Sequence, residues 1–221
     1  MIRMPTWAEV QQHCPKSYRE AGFGNVAVTL DATEFTAERM CHPDVAHYLF
    51  STDKHRPTVK FIVGITTGGA ICYVSSGYGG SMTDNSVVRV SGLLDKLKIC
   101  DYPAGAEVLA DRAFQGLQTD LSKIGMLLTA PPGNRERGGE RQFSPEDARV
   151  TDVERAIGAL KEWRFLLVPV KGDQLDVIGK AVQLCAALTN VLNPPFSSTP
   201  KVKGPGWMQA LRYFSESVEP H

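Results

Sequence analysis

Two β-branched runs joined by four small residues constrain this chain more than anything else in it. Thr58-Val-Lys-Phe-Ile-Val-Gly-Ile65 and Ala70-Ile-Cys-Tyr-Val-Ser75 flank Thr66-Thr-Gly-Gly69, and strand formers on both sides of a glycine turn predict a β-hairpin. Asn25-Val-Ala-Val-Thr-Leu30 reads as an earlier strand that ends at Asp31, because aspartate is depleted within strands. Three strands therefore precede any long helix. A fourth strand is expected at Ala106–Ala110, ending in a second acid, Asp111, and a fifth at Gly125–Thr129. Asp84 fits an N-cap, with Val87, Val90, Leu94 and Leu97 at helical spacing behind it. The order, three strands, helix, strand, helix, strand and then helices, is that of an α/β chain.

The helix that follows carries an acid where a surface helix does not need one. Val150, Val153, Ile157 and Leu160 form a narrow apolar stripe, Glu154 borders it, and Asp152 points toward solvent. Ser144 is expected to cap this helix, with Pro145 at its first position and Asp147 three residues after the cap. Gly158, one turn on from Glu154, leaves room beside its carboxylate. Residues 5 to 20 look like a short polar helix and turn, and Gly77-Tyr-Gly-Gly-Ser-Met-Thr-Asp84 like a flexible connection best read as a tight turn. The stretch Phe165–Val170 is ambiguous between strand and buried extension. A last helix capped by Asp173 runs to Leu192 and, being apolar almost all round, is expected to be buried.

If the first and fourth strands are neighbours, Asp31 and Asp111 come together, and the late helix can add Glu154. Three close carboxylates repel one another unless a cation neutralises them. Oxygen-only ligands suit Mg²⁺ or Mn²⁺, and two such ions about 3.5–4 Å apart can activate the attacking oxygen and stabilise the leaving one in phosphodiester cleavage. Net charge is zero, with 24 basic and 24 acidic side chains, which weighs against nucleic-acid binding unless cations gather at the site. Arg112, Arg155, Lys161, Arg135, Arg137 and Arg141 lie in or beside the segments just named and are the candidate DNA contacts. Five scattered cysteines read as reduced intracellular thiols rather than a disulfide frame. No apolar run approaches the ~18 residues of a membrane span, and no signal or transit peptide is apparent.

Taken together, Leu30-Asp-Ala-Thr-Glu34, Ser51-Thr-Asp-Lys54, Thr58-Val-Lys60, Val63-Gly-Ile-Thr-Thr-Gly-Gly69, Ser75-Ser-Gly-Tyr-Gly-Gly-Ser-Met-Thr-Asp84, Val108-Leu-Ala-Asp-Arg-Ala-Phe114, Val153-Glu-Arg-Ala-Ile-Gly158 and Leu188-Thr-Asn190 resemble the DDE superfamily endonucleases, the catalytic domains of PIF/Harbinger-like transposases. The resemblance implies a ribonuclease-H-like mixed sheet flanked by helices over residues 25–195, after a helical lead-in (1–24) and before a tail (196–221). It implies catalytic and metal-binding roles for Asp31, Asp111 and Glu154, a divalent cation, DNA as substrate, and the nucleus as the place of action. Asp84 matches a recurrent family aspartate that organises a loop or cap. Asp53 stands where the family usually has tyrosine, and Val150 where it commonly has arginine. Thirty residues precede Asp31, too few for the family's helix-turn-helix region, so a separate DNA-binding partner protein and homo-oligomerisation enter the expectation. A domesticated, catalytically silent DNA- or protein-binding domain is the alternative. Leu30-Asp-Ala-Thr33 is also similar to the nucleophile loop of haloacid-dehalogenase-type phosphatases, but that chemistry needs a second acid two residues on, where Thr33 stands.

Overall fold

The computed structural model describes residues 2–130 and 145–193. Arg135, Arg137, Arg141, the cap expected at Ser144 and the 196–221 tail lie outside them. The strands are β1 (Val26–Thr36), β2 (Phe50–Ser51), β3 (Arg56–Ile65), β4 (Ile71–Val74), β5 (Tyr78–Gly79), β6 (Glu107–Ala110) and β7 (Leu127–Thr129). The helices are α1 (Trp7–His13), α2 (Lys16–Glu20), α3 (Pro43–Leu49), α4 (Asp84–Val90), α5 (Leu93–Ile99), α6 (Gln118–Ser122), α7 (Pro145–Lys161), α8 (Arg164–Leu167) and α9 (Ile178–Leu192).

β1 is the axis of the sheet. One edge pairs antiparallel with β3 from Thr29↔Ile65 to Thr36↔Thr58. The other pairs parallel with β6, ending at Leu30↔Ala110, and β7 continues parallel beyond β6. The short strands β2, β4 and β5 cover the far edge of β3. The result is a ribonuclease-H-like mixed sheet flanked by helices. Alternation along the strands sorts side chains to two faces. Phe35, Phe61 and Val63 meet Val153, Ile157 and Leu160 of α7 and Val182 of α9. Val28, Leu30, Ile62 and Val108 meet Val87 of α4, Leu97 of α5 and Phe114. Cys14, Tyr18 and Phe23 pack with Val26 and Leu109, tying the N-terminal segment to β1 and β6. No described helix is long and apolar enough to cross a membrane.

Several local expectations change. β1 does not stop at Leu30: it runs through Asp31 to Thr36, because β3 offers an unbroken partner and pairing outweighs the low strand preference of one aspartate. Thr83, not Asp84, caps α4, its hydroxyl accepting from the Ser86 amide. The helix expected through Leu97 breaks at Gly92, whose φ of 74° no other residue adopts cheaply. Phe165–Val170 becomes α8 followed by a lone bridge from Val170 to Ala37. Asp173 sits in a short 3-10 turn and α9 starts only at Ile178. Nor is α9 buried all round, since Leu184 is 62% exposed.

The glycine-rich connection holds the expected turn at its far end, the Met82 amide donating to the Gly79 carbonyl at 3.0 Å, but it first pairs as β5 with β3. A methyl group at Gly79 would stand 2.2 Å from the Tyr48 carbonyl oxygen, and one at Gly80 2.1 Å from Thr58 Oγ1. β5 and the residue after it are pressed between α3 and β3, and absence of a side chain is what admits them.

Candidate active site

Asp31 lies mid-strand on β1, directly opposite Val63 of β3. Since Leu30 pairs with Ala110 in parallel register, the next residue on each chain is an aspartate, so Asp31 and Asp111 leave adjacent strands side by side. Asp111 ends β6 and caps a 3-10 turn (Arg112–Leu117), its Oδ1 accepting from the Ala113 amide at 2.8 Å. Asp31 Oδ1 accepts from the Ala32 amide at 2.7 Å. Burial pushes the Asp31 carboxyl up to about 6; its own hydrogen bond to Ala32 opposes this, and the charges of Asp111, Glu154 and Asp84 add to it. Asp111 is raised as well, by burial first and by Asp84. Thr29 and Thr33 flank Asp31 on the same face of β1; both are buried and neither hydroxyl has a hydrogen-bond partner.

On α7 the two acids exchange the surroundings expected for them. Val153, Ile157 and Leu160 face the core as anticipated, but Glu154 is exposed. The Asp152 side chain is only 10% exposed. Tyr18 of α2 covers it, donating from Oη to Asp152 Oδ2 at 2.7 Å, while Arg155 donates to Oδ1 at 2.8 Å. The packing of α2, 134 residues away in sequence, decides which flank of the helix is closed. Glu154 is left on the open flank, near enough to raise Asp31. Gly158, next along that flank, has no atom within 4 Å of the position a Cβ would take. Tyr18→Phe removes a donor from a closed-in carboxylate and is expected to lower stability by about 1–2 kcal/mol. A urea midpoint unchanged from wild type would show that the contact contributes nothing.

A buried ion network underlies the acids. Glu34 and Lys60 are cross-strand partners on β1 and β3. Lys60 is 4% exposed; its Nζ donates to Asp84 Oδ1 and to the Met82 carbonyl, each at 2.8 Å, and pairs with Glu34 Oε1 at 3.4 Å. Thr58 donates to the other Glu34 oxygen at 2.7 Å. Burial disfavours the Lys60 charge, yet Asp84 and Glu34 together hold its pKa above the usual lysine value. The sequence signal was available: two charges at matching positions in otherwise apolar strands. Asn85, next to Asp84, donates to the Ala113 carbonyl at 2.9 Å, so α4 braces the turn that Asp111 caps. No motif pointed to it.

The expected DNA contacts separate. Arg112 is exposed beside Asp111, and Arg155 is engaged by Asp152. Lys161, at the end of α7, has its ammonium pKa lowered, by burial first and then by Lys54; Asp31 and Glu34 act in the opposite sense and Arg56 in the same. Arg135, Arg137 and Arg141 are outside the described residues. Among the described residues, no three His, Cys, Asp or Glu groups converge closely enough to hold an ion. The donor chemistry around Asp31 and Asp111 nevertheless fits a hydrated hard cation: all-oxygen ligands, mutual repulsion to relieve, and two orphaned hydroxyls that bound water would satisfy.

No curated protein is similar enough to the chain to count as a match. A solved structure, the cryo-EM structure of the piggyBac transposase synaptic complex with hairpin DNA, is similar at a TM-score of 0.41 and 10% identity, covering 85% of this chain and 51% of that one. The chain thus spans about half the length of that transposase chain. The family described as DDE superfamily endonuclease matches residues 30–190, from Leu30 beside the first acid to Asn190 of α9, and the chain belongs to it.

Proposed function

We propose that this chain is a divalent-cation-dependent DNA endonuclease domain of transposase type, with Asp31, Asp111 and Glu154 as the carboxylates that hold Mg²⁺ or Mn²⁺. The carrying observation is the pair of adjacent, in-register strands that deliver Asp31 and Asp111 together, with burial and neighbouring acids pushing Asp31 up to about 6. A bound cation supplies the positive charge that activates water and steadies the leaving oxygen in phosphodiester cleavage. Asp31 must be ionised to receive it, so cation affinity falls as pH drops through about 6. The Ala113 amide orients Asp111. Glu154 approaches from the open side of α7, and its extra methylene gives it reach. Within the family, the run of motifs from Leu30 to Asn190 supports a PIF/Harbinger-like transposase, acting in the nucleus with a separate DNA-binding partner and as a homo-oligomer.

The test is nicking of a labelled duplex in Mn²⁺ by wild type, Glu154→Gln and Asp152→Asn. Cleavage is expected in wild type and in Asp152→Asn, the latter with a lowered melting temperature because Tyr18 and Arg155 lose a charged acceptor. It is expected to be lost in Glu154→Gln without change in melting. Cleavage that survives Glu154→Gln and disappears in a folded Asp152→Asn would move the third carboxylate to Asp152. One observation favours a second reading, a silent domesticated binding domain: no three acids converge among the described residues. That reading predicts no Mn²⁺-dependent nicking by wild type while DNA or protein binding persists.

A further inference from the structure

Three cations from two separate elements gather at one corner of the sheet beside the acids. Lys54 sits in the turn between β2 and β3, its amide bonded to Ser51 Oγ at 3.2 Å. Arg56 opens β3, paired with Ser51. Lys161 closes α7, which packs on β3, and it lies close enough for the charges of Lys54 and Arg56 to act on its ammonium. Lys54 and Arg56 are exposed; Lys161 is reached by solvent too, though its ammonium pKa is drawn down partly by burial, and none of the three has an ion-pair partner among the described residues. Asp53, in the same turn, pairs with none of them. Glu34, whose charge also bears on Lys161, is already taken by Lys60 and Thr58. In a chain whose charges balance overall, three cations at one corner with no ion pair among them and one neighbouring acid, Asp53, leave a net positive corner suited to an anion from outside the fold.

The corner is also in line with the acids. Glu154, Gly158 and Lys161 succeed one another along one flank of α7, and seven residues of helix span about 10 Å. Nothing stands within 4 Å of where a Gly158 side chain would begin. The flank is therefore an open strip of surface, acidic at one end and basic at the other. We infer that Lys54, Arg56 and Lys161 together bind a backbone phosphate of the nucleic-acid strand that lies along this strip, next to the phosphodiester presented to Asp31 and Asp111. The inference rests on the endonuclease reading and adds to it a place where the uncleaved part of the strand is gripped. Phosphate contacts of this kind fix register without reading sequence.

Its test is the salt dependence of binding to a random-sequence DNA duplex. A Lys54→Ala/Arg56→Ala variant is compared with wild type and with Lys98→Ala/Lys180→Ala, which removes two cations placed elsewhere. Counterion release makes the logarithm of the binding constant fall with the logarithm of salt by about 0.9 per phosphate contact. The corner variant is expected to lose up to about 0.9 from that slope, one phosphate contact, and to bind roughly tenfold more weakly at low salt, with melting unchanged because both residues are exposed. The Lys98→Ala/Lys180→Ala protein is expected to match wild type. Equal slopes for the corner and control variants overturn the inference and leave the endonuclease reading intact. If wild type binds no duplex even at low salt, the endonuclease reading falls and takes this inference with it.

Discussion

Asp31→Asn is expected to be more stable than wild type in cation-free buffer at neutral pH, and inactive in Mn²⁺-dependent cleavage. The folded chain holds the Asp31 carboxyl at about 6, above its ordinary 3.8. A raised carboxyl favours the fold fully below the lower value and loses that contribution as pH climbs through the upper one, so at pH 7–8 the ionised group works against folding. Two units correspond to about 3 kcal/mol at most; partial exposure of the group brings the expected gain to roughly 1–2 kcal/mol, or about 2–8 °C in Tm for a chain of this size. The gain should vanish near pH 4, where both proteins carry a neutral group. Adding Mn²⁺ should stabilise wild type by mass action and leave the variant unmoved. If Asp31 holds the cation as proposed, its loss forfeits several kcal/mol of transition-state stabilisation, about a thousandfold in rate. Thermal melts at pH 4 and pH 8, with and without Mn²⁺, check the first half. A variant that melts below wild type at pH 8 would mean that Asp31 carries no uncompensated charge.

Lys60→Met is expected to be among the most damaging single substitutions in the sheet. It keeps the stem but deletes the ammonium that Glu34, Asp84 and the Met82 carbonyl share. Taking one partner from a buried ion network leaves charge without compensation and costs about 3–5 kcal/mol. The double variant Lys60→Met/Glu34→Gln should recover part of that loss, because the remaining group opposite is then neutral. A double-mutant cycle by chemical denaturation separates the coupling from lost packing. A Lys60→Met protein within 1 kcal/mol of wild type would show that the network adds no cohesion. The same substitution should also raise Asp31 and Asp111 further, since Asp84 bears on both of them and would no longer be paired.

What could be read from the sequence follows the range of the physics behind it. The hairpin at Thr58–Ser75 and the strand ending at Asp111 were legible because β-branched alternation and turn glycines act within a few residues. The full length of β1 was not, because aspartate's local preference argued for a stop that eight residues of β3 overrule. Val153, Ile157 and Leu160 were correctly placed inside by helical period alone. Period cannot say which flank of a helix is covered. That depended on Tyr18, and so Asp152 and Glu154 were given each other's surroundings. The glycines at 77 to 80 announced themselves as turn formers, while their actual use, letting β5 approach Tyr48 and Thr58, is a fact of tertiary distance. Asn85 and Lys60 matter through partners 22 to 28 residues distant, beyond any window of local pattern.

The two strand aspartates are mounted differently. Asp31 is riveted: β1 continues for five residues beyond it, all paired antiparallel with β3. Asp111 stands at the last step of its strand and leads into a turn held by two outside contacts, from Asn85 to the Ala113 carbonyl and from Arg89 to the Gly116 carbonyl, with Arg89 also bonded to Asp120 of α6 just beyond it. One carboxylate is an anvil and the other is on a sprung arm. Any change in the spacing of the pair, for a larger ion or a distorted phosphate, must therefore be taken up on the Asp111 side, with α4 as the spring.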